Sequence, residues 1–270
     1  MTSMDFDPTR PPTTPREAAA VVLVRAGAGG AAELFLVRRE AKAAFMARSF
    51  VFPGGVRDGE EDPRATAARE LFEESGVLLA DRPVDAAVVA ALRARWVAGE
   101  SFDDLLAGAG LRLDLERLVP FAHWVTPSAE RRRFSARFFV AELPAGQDAS
   151  PDGAEVVEGQ WVAPADALVR SDELLLPPPQ LRSVWELRAA RTPAEVVALA
   201  RARAPHVRAL VPRFAPLPGT PHGFALLLPW DPDHDALGTG DAHPWPTDHP
   251  LGGGPSRFVR EGTAWRQLEV

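Results

Sequence analysis

Residues Gly55–Val77 read GVRDGEEDPRATAARELFEESGV, with Gly55, Glu61, Arg69, Glu70, Glu73, Glu74 and Gly76 set on a fixed grid. Asp62 followed by Pro63 is a helix start, because the Asp side chain caps free backbone N–H groups and Pro loses nothing at the first helical position. Gly76 suits the stop. Between these limits Ala65, Ala68, Leu71 and Phe72 share one side, while Glu70, Glu73 and Glu74 crowd nearly opposite. An amphipathic helix with an acidic solvent face is expected.

Three like charges within one turn cost stability unless a cation lies among them, and Arg69 offsets only part of that cost. Taken alone, the triplet favours the reading of a solvated surface over that of a site. Mg²⁺ or Mn²⁺ is its natural partner, since both take oxygen ligands and Mg²⁺ commonly bridges carboxylates to substrate phosphates. Just upstream, Phe52-Pro53-Gly54-Gly55 reads as a strand end entering a glycine turn, where a backbone carbonyl, assigned to Gly55, adds a further oxygen.

The whole grid resembles the Nudix box, Gly-x5-Glu-x7-Arg-Glu-U-x-Glu-Glu-x-Gly-U with U apolar, and every fixed position is met by Gly55, Glu61, Arg69, Glu70, Leu71, Glu73, Glu74, Gly76 and Val77. A chance match is on the order of one in a million or rarer for ordinary composition. The resemblance implies a hydrolase for nucleoside diphosphate derivatives, with Glu70, Glu73 and Glu74 as metal ligands and catalytic groups. It also implies that Glu61 and Arg69 are orienting residues joined by a salt bridge. The expected fold is α+β, a Nudix-type α/β/α sandwich around a mixed sheet, with a helical insertion and a C-terminal elaboration.

Three runs look like the branch that includes peroxisomal coenzyme A diphosphatases: Phe50–Gly55, His123-Trp124-Val125-Thr126-Pro127, and Arg132-Arg133-Phe134 with Phe138-Phe139. That branch's upstream signature, Leu-Leu-Thr-x-Arg-Ser, stands here as Phe35-Leu36-Val37-Arg38-Arg39-Glu40. Coenzyme A or an acyl derivative is therefore the first substrate reading. ADP-ribose or a dinucleotide comes next, and a regulatory Nudix protein that binds nucleotide without turnover is the rival of another class.

Arg131, Arg132 and Arg133 form the densest basic spot, of which Arg132 and Arg133 fit the branch motif and are assigned to substrate phosphates. Phe52 and Trp124 are assigned to stacking on the base, against a strong alternative of core packing. Glu155 and Glu158 precede Trp161 where many Nudix enzymes place a further base. Either could orient the attacking water, and Glu158 is the one carried forward.

Outward from the box, residues 1–15 are read as a flexible arm and 16–204 as the hydrolase domain. A helical insertion at about 80–115 would cap the pocket or form a homodimer surface. Residues 205–270 are read as a β-rich extension packed on the same domain. Strands are expected at Ala18–Arg25, Glu33–Arg38, Leu118–Trp124, Phe134–Glu142, Glu155–Val162, Leu210–Phe214 and Phe224–Leu228, with Arg257–Val259 against Trp265–Leu268. Helices are expected at Val84–Val97, Phe102–Ala107, from Pro164, at Pro178–Ala190 and at Pro193–Ala204.

The net charge of −7 argues against a general nucleic-acid binder. The chain has no cysteine, which removes disulfides and thiolate chemistry and fits a reducing cytoplasm. Neither a signal-like apolar core near Met1 nor a membrane-length run occurs, and the last residues are unlike a peroxisomal address. The Asp and His residues of 230–249 match no closed zinc or calcium loop.

Overall fold

The computed structural model describes residues 11–40, 46, 48–217, 223–241 and 243–270. The first ten residues of the expected arm lie outside the described residues. Thr13 is engaged: its carbonyl accepts from Arg133 at 2.7 Å and its hydroxyl donates to Arg131 O at 3.1 Å.

The elements follow in the order β1 (Arg16–Ala26), β2 (Ala32–Arg39), β3 (Phe50–Val51), β4 (Gly54–Val56), α1 (Pro63–Ser75), α2 (Ala86–Val97), α3 (Phe102–Ala109), β5 (Val119–Val125), β6 (Phe134–Glu142), β7 (Val156–Val162), α4 (Pro164–Val169), α5 (Pro178–Leu187) and α6 (Pro193–Arg203). The C-terminal part adds β8 (Ala209–Leu210), β9 (Arg213–Pro216), β10 (Phe224–Leu227), α7 (His234–Leu237), β11 (Arg257–Glu261) and β12 (Ala264–Leu268). The fold is α+β, with a mixed sheet between helices.

At its centre is β1, whose unbroken apolar run suits a strand buried on both faces. It runs parallel to β6 from Arg16↔Phe134 to Val24↔Glu142, and antiparallel to β2 and β4. The pleat sorts its side chains. Ala19, Val21 and Leu23 pack with Ala67, Ala68 and Leu71 of α1, whereas Ala20, Val22 and Val24 share a core with Leu181 and Val184 of α5 and with Val196 and Ala200 of α6.

The helical insertion builds a satellite core on the flank of α1, with Phe72 against Phe102 at 5.4 Å between ring centroids and Val89, Leu92 and Leu105 around them. The apolar face of 80–115 packs on α1, and none of its described residues lines the cavity beside Gly54 and Gly55.

The expected strand Leu210–Phe214 divides in two. β8 pairs with β5 in the main sheet, while β9 begins a second, antiparallel sheet of order β12-β11-β10-β9. Pro212 lies between them, and without an N–H it cannot continue a ladder. The second sheet shares the α5 side of the core through Leu226, Phe258 and Trp265, with Trp124 edge-on to Phe258 at 6.2 Å.

Polar anchors fix that sheet. Arg182 of α5, buried, donates to Pro255 O at 2.9 Å and Gly253 O at 3.0 Å and pairs with Glu186, which also takes Arg203 at 2.7 Å. Asp231, fully buried, accepts from Ser256 at 3.0 Å and from Arg257 at 2.7 Å. Such buried charges are tolerated because each is answered by several partners.

Arg182→Met should therefore cost about 3 kcal/mol, since it leaves two carbonyls and part of Glu186 unanswered. Denaturant unfolding measures the loss, and limited proteolysis should show cleavage after residue 205 before cleavage elsewhere. Unchanged stability would mean that the tail is held by its apolar contacts alone.

Candidate active site

Helix α1 forms within the limits its sequence sets. Asp62 accepts from Arg64 N at 2.8 Å, and Gly76 adopts the left-handed conformation, φ 71°, in which its N–H reaches Phe72 O. The acidic side, however, does not face solvent. Glu74 is 4% exposed and Arg69 is 9% exposed, because the turn between β3 and β4 lies over that side.

Two glycines make this approach possible. Gly54 N donates to Glu74 Oε2 at 2.8 Å. At Gly55, paired with Ala19 of β1, a Cβ would overlap the Glu70 carboxylate. Gly55 thus enters the site first as space for Glu70.

Arg69 distributes its donors around the site. It meets Glu61 through Nε at 3.2 Å and through a terminal nitrogen at 3.1 Å, and that nitrogen also reaches Val56 O at 3.1 Å. Its other terminal nitrogen meets Glu70 at 3.0 Å and Glu73 at 3.2 Å. Thr66 steadies Glu61 at 2.9 Å. Burial works against the charge of Arg69, but the hydrogen bond to Glu61 and the charges of Glu70 and Glu73 outweigh it and hold the guanidinium above its ordinary value.

The carboxylates carry the strain of this arrangement. Burial pushes Glu70 up to about 7 against the pull of Arg69, with the neighbouring Glu73 adding to the rise. Burial likewise pushes Glu74 up to about 8, opposed chiefly by the Gly54 N–H. Glu73 is raised for the same reason.

Among the described residues no group of three or more His, Cys, Asp or Glu side chains is already gathered around an ion position, and Arg69 reaches between Glu70 and Glu73. The donor chemistry still fits a hard divalent cation: several carboxylate oxygens, partly or wholly buried, share one guanidinium that does not reach Glu74.

Of the two further glutamates, Glu155 is the one whose charge bears on Glu70, Glu73 and Glu74 alike. Glu158 pairs instead with Arg38 at 2.8 Å, directly across the β2–β7 ladder. Glu158, the residue carried forward, thus stands in an exposed ion pair with Arg38. The register shifts between Arg38 and Arg39, and that irregularity separates the surroundings of the two glutamates.

Beside the glycine turn opens a cavity of about 250 Å³, lined among others by Gly54, Gly55, Phe52, Trp124, Phe138 and Pro179. Phe52 and Trp124 stand in its wall but are 1% and 5% exposed and packed against Phe138 and Phe258, so core packing is their main role. Arg133, assigned from the sequence to substrate phosphates, has backbone partners here. It is buried, and its guanidinium is engaged by Thr126 O at 3.0 Å and Thr13 O. Arg132 is exposed on the same turn, and neither arginine lines the cavity.

An arginine with the right placement was passed over. Arg39 lines the cavity, its charge acts on Glu74, and its Nε is buried without a partner among the described residues. The available signal was its place in Phe35–Glu40, an apolar strand ending in two arginines just ahead of the box.

The family model described as the NUDT19 Nudix domain matches residues 59–187. The chain is 29% identical over 166 residues to the putative nudix hydrolase 7 of Caenorhabditis elegans, covering 57% of this chain and 55% of that protein. It is 34% identical over 143 residues to the human acyl-coenzyme A diphosphatase NUDT19, covering 46% of this chain and 38% of that protein. The chain thus spans about half the length of the curated relatives it matches. A solved NUDIX hydrolase from Alicyclobacillus acidocaldarius superposes with a TM-score of 0.56 at 28% identity, over 70% of this chain and 96% of that one. In its box, in its fold and in the way its glycine turn closes over a carboxylate helix, this chain is similar to the Nudix hydrolase superfamily.

Proposed function

We propose that the chain hydrolyses the diphosphate bond of a nucleoside diphosphate derivative, with coenzyme A or acyl-coenzyme A as the first substrate. The observation that carries this reading is the junction at Gly54–Gly55, where buried carboxylates of α1 on one side meet an apolar cavity on the other. A bond held at that junction has charged chemistry at one end and room for an organic arm at the other. The likeness to an acyl-coenzyme A diphosphatase favours coenzyme A over ADP-ribose or a dinucleotide.

In this proposal Glu70, Glu73 and Glu74, with the Gly55 carbonyl, hold Mg²⁺ or Mn²⁺. Such an ion, when bound, lowers the pKa of water and neutralises charge on the leaving phosphate. Glu61 and Arg69 orient the helix face. Glu155, exposed beside the three glutamates, accepts the proton of the attacking water. Arg39 gives its unpaired donor to a phosphate oxygen, a charge-assisted bond. No described helix is long and apolar enough to cross a membrane. A cytoplasmic setting and a homodimer belong to the same proposal.

Turnover separates the catalytic reading from a binding-only Nudix protein. With Mg²⁺, the wild type should release adenosine 3′,5′-bisphosphate from coenzyme A, in preference to products from ADP-ribose, NADH or nucleoside triphosphates. Glu74→Gln should lower kcat by about 100-fold or more, as loss of a direct ligand exceeds loss of an outer partner. Glu155→Gln should cost on the order of 100-fold and Glu158→Gln little. Full activity in folded Glu74→Gln, or a larger loss in Glu158→Gln than in Glu155→Gln, would reject these assignments.

Stability should report the same carboxylates without any substrate. Their folded pKa values lie above the ordinary value of 4.5, so the folded state binds more protons than the unfolded one. This contribution is complete below 4.5 and is lost as pH rises through about 7 for Glu70 and about 8 for Glu74. Metal-free protein should lose stability steadily across that window. Mg²⁺ should restore it at the alkaline end, and the Glu70→Gln/Glu74→Gln double variant should flatten the profile. Melting temperatures recorded against pH, with and without Mg²⁺, make the comparison. An equal slope in the double variant would place the effect elsewhere.

A further inference from the structure

Gln180 brings a carboxamide to a cavity whose neighbouring walls are Phe52, Trp124, Phe138, Pro178, Pro179 and Leu226. The residue is only 7% exposed, and its Oε1 is buried with no hydrogen-bond partner among the described residues. An unanswered polar atom at that depth costs folding stability, so its retention in an apolar wall calls for a partner that arrives from outside.

The first turn of α5 supplies none. Pro178 and Pro179 have no N–H to give. Leu181 N is spent on Pro177 O at 2.8 Å, and Ser183 Oγ on Pro179 O at 2.7 Å. Arg182, one residue on, is committed to Glu186 and to the carbonyls of Gly253 and Pro255. The amide is left to the cavity it lines.

We propose that Gln180 is a specificity-determining residue: its carboxamide meets the polar edge, an N–H beside an acceptor atom, of the substrate portion that occupies the cavity. A portion equally apolar but without that edge is rejected, because it leaves the amide buried and unpaired. The proposal rests on the diphosphatase reading above. Both halves of a coenzyme A substrate carry such an edge, the purine amine with its ring nitrogen on one side and the secondary amides of the pantetheine arm on the other. The shared chemistry is what Gln180 reads, and the test identifies the half.

The variant is Gln180→Met, similar in length and without the amide, made in the full chain. Three measurements are compared with wild type: melting temperature without ligand, calorimetric titration without Mg²⁺ using adenosine 3′,5′-bisphosphate and 4′-phosphopantetheine separately, and kcat and KM for coenzyme A with Mg²⁺. The melting temperature should hold or rise, since a costly unpaired group has gone. Binding of one fragment should weaken about tenfold or more while the other is unchanged, and kcat/KM should fall by a similar factor through KM. The weakened fragment names the half that sits against α5.

A lower melting temperature with both fragments bound as in wild type makes Gln180 a structural residue and overturns the proposal. Wild-type protein that cleaves coenzyme A while Gln180→Met cleaves it equally well overturns the Gln180 assignment alone. Wild-type protein that neither binds a fragment nor cleaves coenzyme A overturns the substrate reading and the proposal with it.

Discussion

The cost of burying Glu70, Glu73 and Glu74 beside a single guanidinium is the constraint on which the rest of the site depends. A carboxylate removed from water is expensive unless a cation or several N–H groups answer it. Here Arg69 serves Glu61, Glu70 and Glu73, and Glu74 has the Gly54 N–H. The neighbouring features follow from that shortage. Gly55 must lack a side chain so that Glu70 fits, Thr66 must steady Glu61, and the β3–β4 turn must lie close enough to lend an N–H. The site is thus organised around charge it cannot neutralise alone, which is the electrostatic condition for recruiting a divalent cation.

Much of this was legible where the signal is local. The cap at Asp62, the left-handed Gly76, the central strand from Ala18 and the exact span Phe134–Glu142 all follow from neighbours in the chain. Helical periodicity recovered α2, α3, α5 and α6 to within a few residues at their ends. These patterns are written in short stretches, and tertiary contacts had only to agree with them.

What escaped depends on residues far apart. The acidic side of α1 looked solvent-facing because polarity was read as exposure, whereas the glycine turn that buries it comes from another strand pair. Glu155 and Glu158 are equivalent by spacing, and only the register irregularity at Arg38/Arg39, with the Arg38 partner, tells them apart. Arg133 matched a motif, yet its donors go to backbone carbonyls near the N-terminus. Leu210–Phe214 reads as one strand, whereas Pro212 divides it and its halves join different sheets. Pro177–Gln180 reads in the sequence as a rigid helix entry on the substrate side, but nothing there marks the Gln180 carboxamide, whose surroundings come from distant residues.

The pleat of β1 has a further consequence for how such a molecule can change. Ala19 belongs to the packing beneath the carboxylate helix, and its neighbour Ala20 to the packing that faces α5 and the second sheet. Two separate packings are thereby assigned to opposite sides of one strand, one residue apart. Under the proposed function, substitutions at Leu226, Pro212 or the start of α5 would reshape the cavity wall without touching the packing beneath the carboxylate helix. Change on one face of β1 need not disturb the other.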